Sequence, residues 1–506
     1  MTDYATDIAR IKPAVRLNRS TVPGGALVHH RHGLQTGIVH LGLGNFHRAH
    51  QAVYTAAGLA VEDGPWGIVG VANRSRSVVE AMDAQDLLYS VVEVAPRNSR
   101  VTVPGVHTRV LVADDDPGVV VDQIAAATTR IVTLTVTEHG YTFSADTGAL
   151  DIGSPAVRHD LADDSSPMTT IGRIARGLIA RARTHAAPIA VLSCDNLLGN
   201  GRHTEALVRE FIALADPSRA DEILAWMDTD VTFPNSMVDR IVPSSGPVYN
   251  DEARSRLGVA DEIAVPAEPF TMWVMEDRFA AGRPRWEAGG AIFTDDVEPY
   301  ELLKVRLLNG THSLIAYLGA LDGRATIPEA VAQQFIESAA RRVMSDDYLP
   351  TVTVPAGMDA DRYIAELFER WSNSALGHRT SQVGSDGSVK LAQRIPIPAR
   401  LHLDAGRTPR HLALTLAAYL CCIAPRPGFD PGAHALAMVD PARPRLTRLA
   451  AQAKSAQEFV HAVFADGGLF PKELADADEF VMATSEFVDM ITAHGARAAA
   501  AEANNA

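Results

Sequence analysis

The feature that most constrains the fold is an alternation, from about residue 36 to residue 241, of short β-branched runs with longer Ala-rich amphipathic stretches. Strands that alternate with helices in this way form a parallel sheet with helices on its faces. Four of the runs are almost continuously apolar, as expected for strands buried on both faces: Gly37–Leu41, Gly67–Ala72, Arg130–Thr137 and Ile189–Ser193. The N-terminal part of the chain is therefore predicted to be an α/β domain with a doubly wound sheet.

The sequence pattern changes after Phe270–Glu276, a further predicted strand. Beyond it, five segments have helical spacing and little strand signal: Leu302–Leu321, Ile327–Met344, Ala360–Ser374, Leu412–Ile423 and Ala456–Phe464. We predict two domains, residues 1–290 and residues 291–506, of which the second is mainly α-helical. Residues 491–506 contain few bulky apolar groups, so we expect them to fray after a final helical turn.

The overall charge restricts the partners of the protein. The chain has 46 Lys and Arg against 61 Asp and Glu, a formal net charge of −15. This is the wrong sign for counterion-release binding to nucleic acid or to an anionic membrane. We expect a small-molecule substrate, no nucleic-acid or membrane partner, and a monomer or small homo-oligomer.

Cysteine content and the N-terminal sequence indicate the compartment. Three cysteines, two of them adjacent at 421 and 422, cannot form a disulfide framework. The N-terminal segment MTDYATDIARIKPAVRLN has no apolar core of a signal peptide. The near-apolar run Leu412–Ile423 falls short of the ~18–20 residues that span a bilayer and indicates a buried helix. The sequence thus predicts a cytoplasmic protein.

A Gly-x-Gly turn follows the first predicted strand, in Ile38-Val-His-Leu-Gly42-Leu-Gly44-Asn-Phe-His47. Glycines at such a turn let main-chain N–H groups approach a pyrophosphate, which then lies at a helix N-terminus. The third position of the GxGxxG pattern is His47 rather than glycine. At this level the turn is either a dinucleotide site of Rossmann type or an ordinary strand-to-helix connection.

The end of the second strand bears on the type of dinucleotide. In Rossmann folds an acid at this point binds the ribose hydroxyls of NAD. Here the strand continues into Asn73-Arg74-Ser75-Arg76, with two arginines and no acid, so NADP is possible beside NAD. His47 and His50 lie one helical turn apart, but no carboxylate or cysteine cluster accompanies them, and we predict no metal site.

A polar set in an otherwise apolar helix could perform chemistry. At 100° per residue, Lys304, His312 and Asn309 lie at about 0°, 80° and 140° on one face of the helix. A desolvated lysine has the lowered pKa that a general base needs, the asparagine can donate to a developing oxyanion, and the histidine can hold a substrate hydroxyl. The alternative is a structural helix with a snorkelling lysine, a capping asparagine and a core histidine.

Two further segments place polar side chains near the ends of predicted strands. Asp195, Asn196 and Asn200 follow Ile189–Ser193 at the carboxyl edge of the sheet, where α/β proteins bind ligands. The segment Phe233–Pro243 contains adjacent Asp239 and Arg240 between apolar residues. A buried ion pair or a substrate-facing carboxylate would explain this pair, and for Arg240 we favour the structural ion pair.

Six blocks in this order resemble the long-chain polyol dehydrogenases, the mannitol 2-dehydrogenase family that includes fructuronate reductases and D-arabinitol dehydrogenases. The blocks cover nearly the whole chain: Gly42-Leu-Gly-Asn-Phe-His-Arg-Ala-His-Gln51, Thr135-Val-Thr-Glu-His-Gly-Tyr141, Ser193-Cys-Asp-Asn-Leu-Leu-Gly-Asn-Gly201, Phe233–Pro243, Glu268-Pro-Phe-Thr-Met-Trp-Val-Met-Glu-Asp277 and Lys304–His312. The resemblance implies a Rossmann-type cofactor domain, a helical catalytic domain and metal-independent, NAD(P)-dependent oxidation of a secondary alcohol.

The resemblance also implies roles for catalytic residues. Lys304 would be the general base, and Asn200 and Asn309 would stabilise the oxyanion. His312 would orient the alcohol, and Glu301 would help to pass the proton to solvent.

Binding residues are implied in the same way. Asp239, Lys390 and Arg394 are expected to bind substrate. The residues expected to bind the cofactor are Gly42, Gly44, Asn45, Phe46, Arg74, Glu138 and Asn196.

The substrate is the point on which the resemblance is least specific. The mannitol type, D-mannitol to D-fructose, is our first expectation, with fructuronate reductase (D-mannonate oxidoreductase) and D-arabinitol 4-dehydrogenase as alternatives. The mannitol branch carries an arginine eight residues before the substrate lysine, where this chain has Gln382. The stretch Lys390-Leu-Ala-Gln-Arg394 is closer to the fructuronate reductases, whose substrate carboxylate would need an arginine such as Arg394 or Arg400.

Three other classes are disfavoured by the sequence. Tyr300-Glu-Leu-Leu-Lys304 matches the Tyr-x-x-x-Lys of short-chain reductases, but it lies beyond the sheet domain. A zinc-dependent alcohol dehydrogenase lacks its ligand spacing here. A catalytically silent nucleotide or sugar sensor would have no reason to retain the polar set of the catalytic helix.

Overall fold

The computed structural model describes residues 15–28, 33–95, 99–144, 147–465, 469–471, 474 and 476–505. Residues 1–14, which carry most of the segment interpreted as lacking an export signal, lie outside these ranges. The chain divides into two compact units, Met1–Val297 and Glu298–Ala506. The boundary predicted from the sequence, after residue 290, falls slightly earlier.

The main sheet and all twelve strands of the described residues belong to the first unit. Its strands are β1 Thr36–Leu41, β2 Gly67–Ala72, β3 Val91–Glu93, β4 Val101–Thr102, β5 His107–Val112, β6 Ile131–Leu134, β7 Ile189–Ser193, β8 Val231–Thr232, β9 Ser236–Asp239, β10 Val265–Ala267, β11 Met272–Glu276 and β12 Ile292–Thr294.

The main sheet has six parallel strands in the order β5-β2-β1-β6-β7-β8. This order reverses direction between β1 and β6, which creates the crevice beyond the carboxyl ends of the strands where doubly wound sheets bind ligands. The α/β class predicted from the sequence is confirmed, and β2 and β7 have the predicted bounds. Two three-stranded sheets, β10-β3-β4 and β12-β11-β9, complete the unit.

Helices cover both faces of this sheet. They are α1 Asn45–Ala49, α2 Gln51–Val61, α3 Arg76–Ala84, α4 Pro117–Ala125, α5 Pro155–Ala162, α6 Thr170–Thr184, α7 Asn200–Ala215, α8 Ala220–Asp230 and α9 Pro247–Leu257. Alternate side chains of each strand enter different cores: Val39 and Leu41 of β1 pack with α4, α6 and α7, whereas Ile38 packs on the opposite face with α2. Burial on both faces explains the near-continuous apolar runs of these strands.

The second unit is helical in its described residues. Its α-helices are α10 Glu298–Leu303, α11 Thr311–Leu321, α12 Ile327–Val331, α13 Gln334–Arg342, α14 Ala360–Trp371, α15 Thr380–Gly384, α16 Gly387–Arg394, α17 Pro396–Asp404, α18 Arg410–Ile423, α19 Ala433–Leu436, α20 Arg443–Gln452, α21 Ala456–Ala465, α22 Asp478–His494 and α23 Ala496–Asn505. The mainly helical second domain predicted from the sequence is thus confirmed.

Two stretches of this unit are π-helical, Lys304–Gly310 and Val343–Tyr348. The first joins α10 to α11 without a break. The predicted helix Leu302–Leu321 is therefore confirmed, but it is not α-helical throughout. The second continues α13.

The prediction that the C-terminus frays was wrong, because α22 is followed by α23 and Ala496, Ala499, Ala500 and Ala503 of α23 are buried. Alanine has the highest helix propensity, and its small side chain allows close packing of this helix.

The helix α18 is buried along nearly its whole length, as its apolar sequence predicted. In the described part of the chain, none of the helices is long and apolar enough to cross a membrane.

Candidate active site

The glycine turn after β1 has the backbone form that a bound pyrophosphate requires. Gly42 has φ +107°, and a Cβ there would overlap the carbonyl oxygen of Thr135, so only glycine fits. Gly44 is exposed, and a Cβ at this residue would have only the Gly42 oxygen, 3.8 Å away, within reach. The space at Gly44 is open, which fits the close approach of a ligand to the main chain.

Two clefts lie at the carboxyl edge of the sheet beside this turn. One, of about 230 Å³, is lined by Gly42 and by the residues that follow β6, including Thr137. The other, of about 550 Å³, shares Asn73 and Arg173 with the first and extends to Arg74. Their position at the strand-order reversal, and their extent along the end of β2, fit a dinucleotide.

The predicted cofactor residues after the turn contribute in different ways. The Asn45 side chain accepts a hydrogen bond from Arg48 Nη2 (2.7 Å) and donates to the Pro243 carbonyl (3.4 Å). The ring of Phe46 stacks on His50, with centroids 4.9 Å apart. Asn45 and Phe46 therefore brace the start of α1.

Two other predicted cofactor residues follow strands of the main sheet. Glu138 is exposed in the short 3₁₀ helix Glu138–Tyr141 after β6, between cleft residues Thr137 and Gly140. Asn196 is exposed just after β7. Both lie at the carboxyl edge of the sheet, as predicted for Asn196.

Arg74 lies next to an acid that the sequence analysis missed. Its side chain is 82% exposed, and its Nε is 3.6 Å from Oδ2 of Asp114, which follows β5. Because β5 is the neighbour of β2, the Asp114 amide donates to the Asn73 carbonyl (3.3 Å). Buried Arg173 donates to Asn73 Oδ1 (2.7 Å) and lies 3.4 Å from Asp114. An acid therefore lies beside the end of β2, on the segment that follows the adjacent strand β5.

Asn200, predicted to contact the oxyanion, is fully buried at the start of α7. Its Nδ2 donates to the carbonyls of Asp195 (3.0 Å) and Ser236 (2.8 Å), while its Oδ1 accepts from Ser236 N (3.0 Å). Both amide hydrogens are thus engaged. In this structure Asn200 braces β9 against the end of β7 and has no free N–H for an oxyanion.

Asp195 connects the same edge of the sheet to the cofactor cleft. Its carboxylate accepts hydrogen bonds from the amides of Val136 and Thr137 (2.9 Å each) and from the Tyr141 hydroxyl (2.8 Å). Burial raises the pKa of Asp195, and these bonds oppose the shift. The residue fixes the loop after β6, which lines the smaller cleft.

Asp239 is the last residue of β9 and is buried. Its neighbour Arg240 donates to the carbonyls of Glu268 (2.9 Å) and Ala49 (2.5 Å) and lies 3.7 Å from Glu93. Arg240 therefore has the structural role favoured from the sequence. Its ion-pair partner is Glu93.

No group of three or more His, Cys, Asp or Glu side chains in the described ranges is arranged to hold a metal ion. Within the pair singled out from the sequence, His50 Nε2 is 3.2 Å from the Met272 carbonyl. His47 Nε2 is 3.1 Å from His107 Nε2.

In the second unit, the residues predicted to perform chemistry occupy one continuous helical segment. Glu301 lies in α10 and Lys304 begins the π-helical stretch, and both side chains are buried. Each N–H of a π-helix reaches the carbonyl five residues back, so the chain turns through fewer degrees per residue than in an α-helix. The angles predicted for Asn309 and His312 relative to Lys304 therefore do not hold. π-Helical insertions are common at functional sites.

The Asn309 side chain makes no hydrogen bond with the described residues, but its main chain is held firmly. Arg394 Nη1 donates to the Asn309 carbonyl (2.8 Å) and to Ser313 Oγ (2.6 Å). The next residue, Gly310, packs so closely on the Tyr348 ring and hydroxyl that a Cβ would overlap them. The amide of Asn309 is thus left available on a fixed backbone.

His312 belongs to a group of positively charged or ionisable side chains, which we call the basic cluster: His312, Arg370, His378, Lys390 and Arg394. Burial lowers the pKa of His312 well below its usual value, and the other four members lower it further. The rings of His312 and His378 lie 6.1 Å apart. The His312 Nε2 is buried and has no hydrogen-bond partner among the described residues. His312 is therefore a neutral imidazole, as a residue that orients a hydroxyl would be.

Lys390 and Arg394 lie one turn apart on α16, and neither forms an ion pair with a described residue. Lys390 Nζ donates to the carbonyls of Ser385 (2.7 Å) and Val383 (3.3 Å). The Nε and Nη2 of Arg394 donate to no described residue. Arg400, the other arginine considered for a carboxylate, is exposed and pairs with Asp404 (2.8 Å). Of the two arginines, only Arg394 belongs to the basic cluster.

Several contributing residues were not predicted. His40, a single polar side chain in the apolar strand β1, and Arg173, on the buried face of α6, were detectable as polar residues in apolar patterns. Asp114, Arg370 and His378 have no such local signal, because their importance comes from neighbours distant in sequence.

A Rossmann-type unit with an open glycine turn, and a helical unit that places lysine, asparagine and histidine on one segment, together define a dinucleotide-binding dehydrogenase. The family model described as the mannitol dehydrogenase Rossmann domain matches residues 36–288, and the mannitol dehydrogenase C-terminal domain matches residues 296–492.

Named relatives and a solved structure agree with these matches. The chain is 39% identical to D-mannonate oxidoreductase of Escherichia coli (strain K12) over 468 residues, 92% of this chain and 95% of the relative. It is 37% identical to mannitol 2-dehydrogenase of Cereibacter sphaeroides, over 85% of this chain and 88% of the relative. The structure of Pseudomonas fluorescens mannitol 2-dehydrogenase with NAD and D-mannitol is 32% identical, with TM-score 0.82, covering 96% of this chain and 99% of that chain.

The chain therefore belongs to the mannitol dehydrogenase family, and it is an oxidoreductase of polyols or sugar acids. The family resemblance found in the sequence is confirmed. Because the chain belongs to this family, the Tyr-x-x-x-Lys spacing of Tyr300 and Lys304 does not indicate a short-chain reductase.

Proposed function

We propose that this protein oxidises a secondary hydroxyl of an aldonate of the D-mannonate type to the corresponding keto acid, with NAD as oxidant, and catalyses the reverse reduction. The observation that carries the proposal is the basic cluster. Lys390 and Arg394 are partly buried cations that form no ion pair with a described carboxylate, although Asp386 and Asp440 oppose the lowering of the Lys390 pKa by burial. Removing charge from water is unfavourable unless it is compensated, and a substrate carboxylate would compensate it.

The reaction requires a hydride acceptor and a base. Bound nicotinamide dinucleotide supplies the acceptor, and the open space at Gly44 and the two clefts of the first unit support its binding there. As the C–H bond breaks, the hydride and its electron pair leave the carbinol carbon while the hydroxyl proton goes to the unprotonated side-chain amine of Lys304. Products are the ketone, the reduced nicotinamide and protonated Lys304, so charge and atoms balance.

The remaining roles follow from the contacts of each residue. Asn309 is assigned to donate to the substrate oxygen, since its amide has no other partner in the described chain. His312 orients the same hydroxyl with its unpaired Nε2. Glu301, one turn before Lys304, returns the proton to solvent. Asp239 is assigned to a substrate hydroxyl, and Asn200 to bracing the sheet edge.

A mannitol 2-dehydrogenase is the second candidate. It is favoured by the mannitol-bound relative, which matches almost the full length of both chains. The residue Lys390 is compatible with either substrate. Gln382, where the mannitol branch has arginine, and Arg394 in the basic cluster favour the aldonate.

The substrate pair D-mannonate and D-mannitol tests the proposal, because the two differ at one end, carboxylate or hydroxymethyl. We expect kcat/KM with NAD to favour D-mannonate by about 100-fold, since a charge-assisted pair contributes roughly 1.5–3 kcal/mol. The variant Arg394→Gln should reduce this preference about tenfold or more.

Arg400→Gln is the matched control, because it removes the same charge from an exposed arginine on the next helix. It should leave the preference unchanged. Faster turnover of D-mannitol by the wild type, or an equal preference in wild type and Arg394→Gln, would contradict the aldonate assignment.

A further inference from the structure

The third position of the glycine pattern, where this chain has His47, is filled by a pair of stacked rings. In the usual pattern a glycine here allows the helix to pack closely on the strand. The fully buried His47 ring instead stacks on His40 of β1, with centroids 3.5 Å apart and planes 13° apart. The two rings occupy the space between α1 and β1.

His40 connects this stack to the phosphate-binding turn. Its Nε2 lies 3.0 Å from the Gly42 carbonyl and 3.0 Å from Thr135 Oγ1, and its Nδ1 lies 2.8 Å from Thr133 Oγ1. A carbonyl oxygen only accepts, so Nε2 carries the proton and Nδ1 accepts from the Thr133 hydroxyl. Burial lowers the pKa of His40 to about 3, which keeps the ring in this neutral form.

The Gly42 carbonyl is the point on which these contacts converge. It lies within hydrogen-bond distance of three donors: His40 Nε2, Thr135 Oγ1 (3.0 Å) and the amide of Gly44 (2.6 Å). Since His40 is completely buried, the carbonyl points towards the interior of the unit. A carbonyl oxygen turned into the cleft would instead repel the oxygens of a pyrophosphate.

Two amides at the start of α1 are available to a ligand. Those of Asn45 and Phe46, at the start of α1, have no acceptor among the described residues. The turn therefore keeps its Gly42 carbonyl oxygen inwards, while the start of α1 leaves two N–H groups without an acceptor among the described residues, which is the polarity an anion needs.

We propose that His40 and His47 are positioning residues for the pyrophosphate of the dinucleotide, and that their stacked rings replace the third glycine of the pattern. His40 holds the Gly42 carbonyl out of the cleft, and His47 holds the His40 ring in plane. The inference rests on the proposed function only in taking the first unit to bind a nicotinamide dinucleotide.

Binding of ADP and of adenosine to the full-length protein tests this inference without turnover. Both affinities are measured by displacement of fluorescent NADH. His40→Phe keeps an aromatic ring for the stack but removes both nitrogens. We expect it to weaken ADP binding about fivefold to tenfold, as the loss of one hydrogen bond predicts, and to change adenosine binding less than about twofold.

His107→Phe is the matched control. His107 is also buried, lies on β5 and touches His47 rather than the turn. It should leave the ratio of ADP to adenosine affinity unchanged. Equal weakening of both ligands in His40→Phe, or the same change of ratio in His107→Phe, would show a packing role and overturn the proposal.

Two further variants keep the test decisive if His40→Phe does not fold. Thr135→Val removes the second side-chain donor to the Gly42 carbonyl and should weaken ADP selectively. His47→Gly restores the usual glycine pattern, yet we expect weaker ADP binding because the stack is lost. Tighter ADP binding in His47→Gly would overturn the proposal.

A wild type that binds neither ligand would overturn both the proposal and the cofactor assignment. An error in the assigned base or substrate would leave these binding measurements unaffected.

Discussion

The carboxylate of Asp114 forms ion pairs with two arginines beside the end of β2, Arg74 and Arg173. Arg74 is an exposed ion-pair partner, while Arg173 is nearly buried and is also held by Asn73 and the Pro167 carbonyl. An acid at this edge can accept ribose hydroxyls and disfavours a 2′-phosphate. Arg74 and Arg173 therefore do not by themselves make an NADP site.

The effect of this acid is measurable with nucleotide fragments. Asp114→Asn should raise the affinity for 2′,5′-ADP relative to ADP by about tenfold, because it removes repulsion and frees Arg74. Calorimetric titration of both ligands gives the ratio.

Asp115→Asn is the control for this measurement, because it removes the same charge from the adjacent acid, which pairs with Arg76. An equal change of ratio in the two variants would show a general charge effect and contradict the assignment to Asp114.

The sequence predicts residues whose signal is local. The glycines of the turn, and the spacing of Lys304, Asn309 and His312, were found in this way. Asp114 was not, because its contact with Asn73 depends on the pairing of β5 with β2. For Asn200 the position was predicted, but its hydrogen bonds were not, since they join residues 36 positions apart.

At the scale of elements, the π-helical stretch is the main departure from the predicted pattern. Apolar periodicity over Lys304–Gly310 suits a helix, but seven residues are too few to distinguish five-residue from four-residue hydrogen bonding. The widened turn is supported by tertiary contacts: Arg394 binds the Asn309 carbonyl, and Tyr348 of the second π-helical stretch covers Gly310. Those contacts are distant in sequence and could not be predicted from it.

Gly310→Ala tests whether this packing fixes the stretch. The new methyl group would overlap the Tyr348 ring, so we expect a loss of stability of about 1–3 kcal/mol and a lower kcat. Urea unfolding and steady-state kinetics measure the two effects. Gly246→Ala, at the extended N-cap of α9 where a Cβ meets open space, should leave kcat unchanged and cost less stability than Gly310→Ala. Unaltered stability in Gly310→Ala would contradict the described packing.

The N-terminus of α18 carries a pH-dependent contact. Asp347 accepts a hydrogen bond from the Leu412 amide (2.8 Å), and burial raises the pKa of its carboxyl to about 7. Since this folded-state pKa lies above the unfolded value, its contribution to stability is complete below about pH 4 and is lost as the pH rises to about 7.

Asp347→Asn keeps an acceptor for Leu412 but cannot ionise. The Tm of the variant relative to wild type should therefore rise by several degrees between pH 5 and pH 8, as measured by calorimetry. An exposed acid on α17 provides a control, Asp404→Asn, whose difference from wild type should not change in this range. A constant difference for Asp347→Asn would show that the carboxyl does not titrate there.

At the scale of the whole molecule, the two units divide the chemical roles. The first carries the glycine turn and the clefts of a dinucleotide site, and the second carries the lysine, the asparagine and the basic cluster. The net charge of −15 describes the surface as a whole, whereas the basic cluster is a local concentration of positive charge that suits a small anionic substrate.

The measurement that tests this division most directly is the single-turnover rate at which the variant Lys304→Ala transfers hydride from D-mannonate to NAD. The rate is followed by the absorbance of the reduced nicotinamide. We expect a rate about 10²–10⁴-fold below wild type, the usual contribution of a general base, with NADH affinity within about twofold of the wild-type value. Tyr300→Phe should retain most of its activity. Near-normal hydride transfer in Lys304→Ala would contradict the assignment of the base, and a parallel loss of NADH binding would contradict the separation of roles.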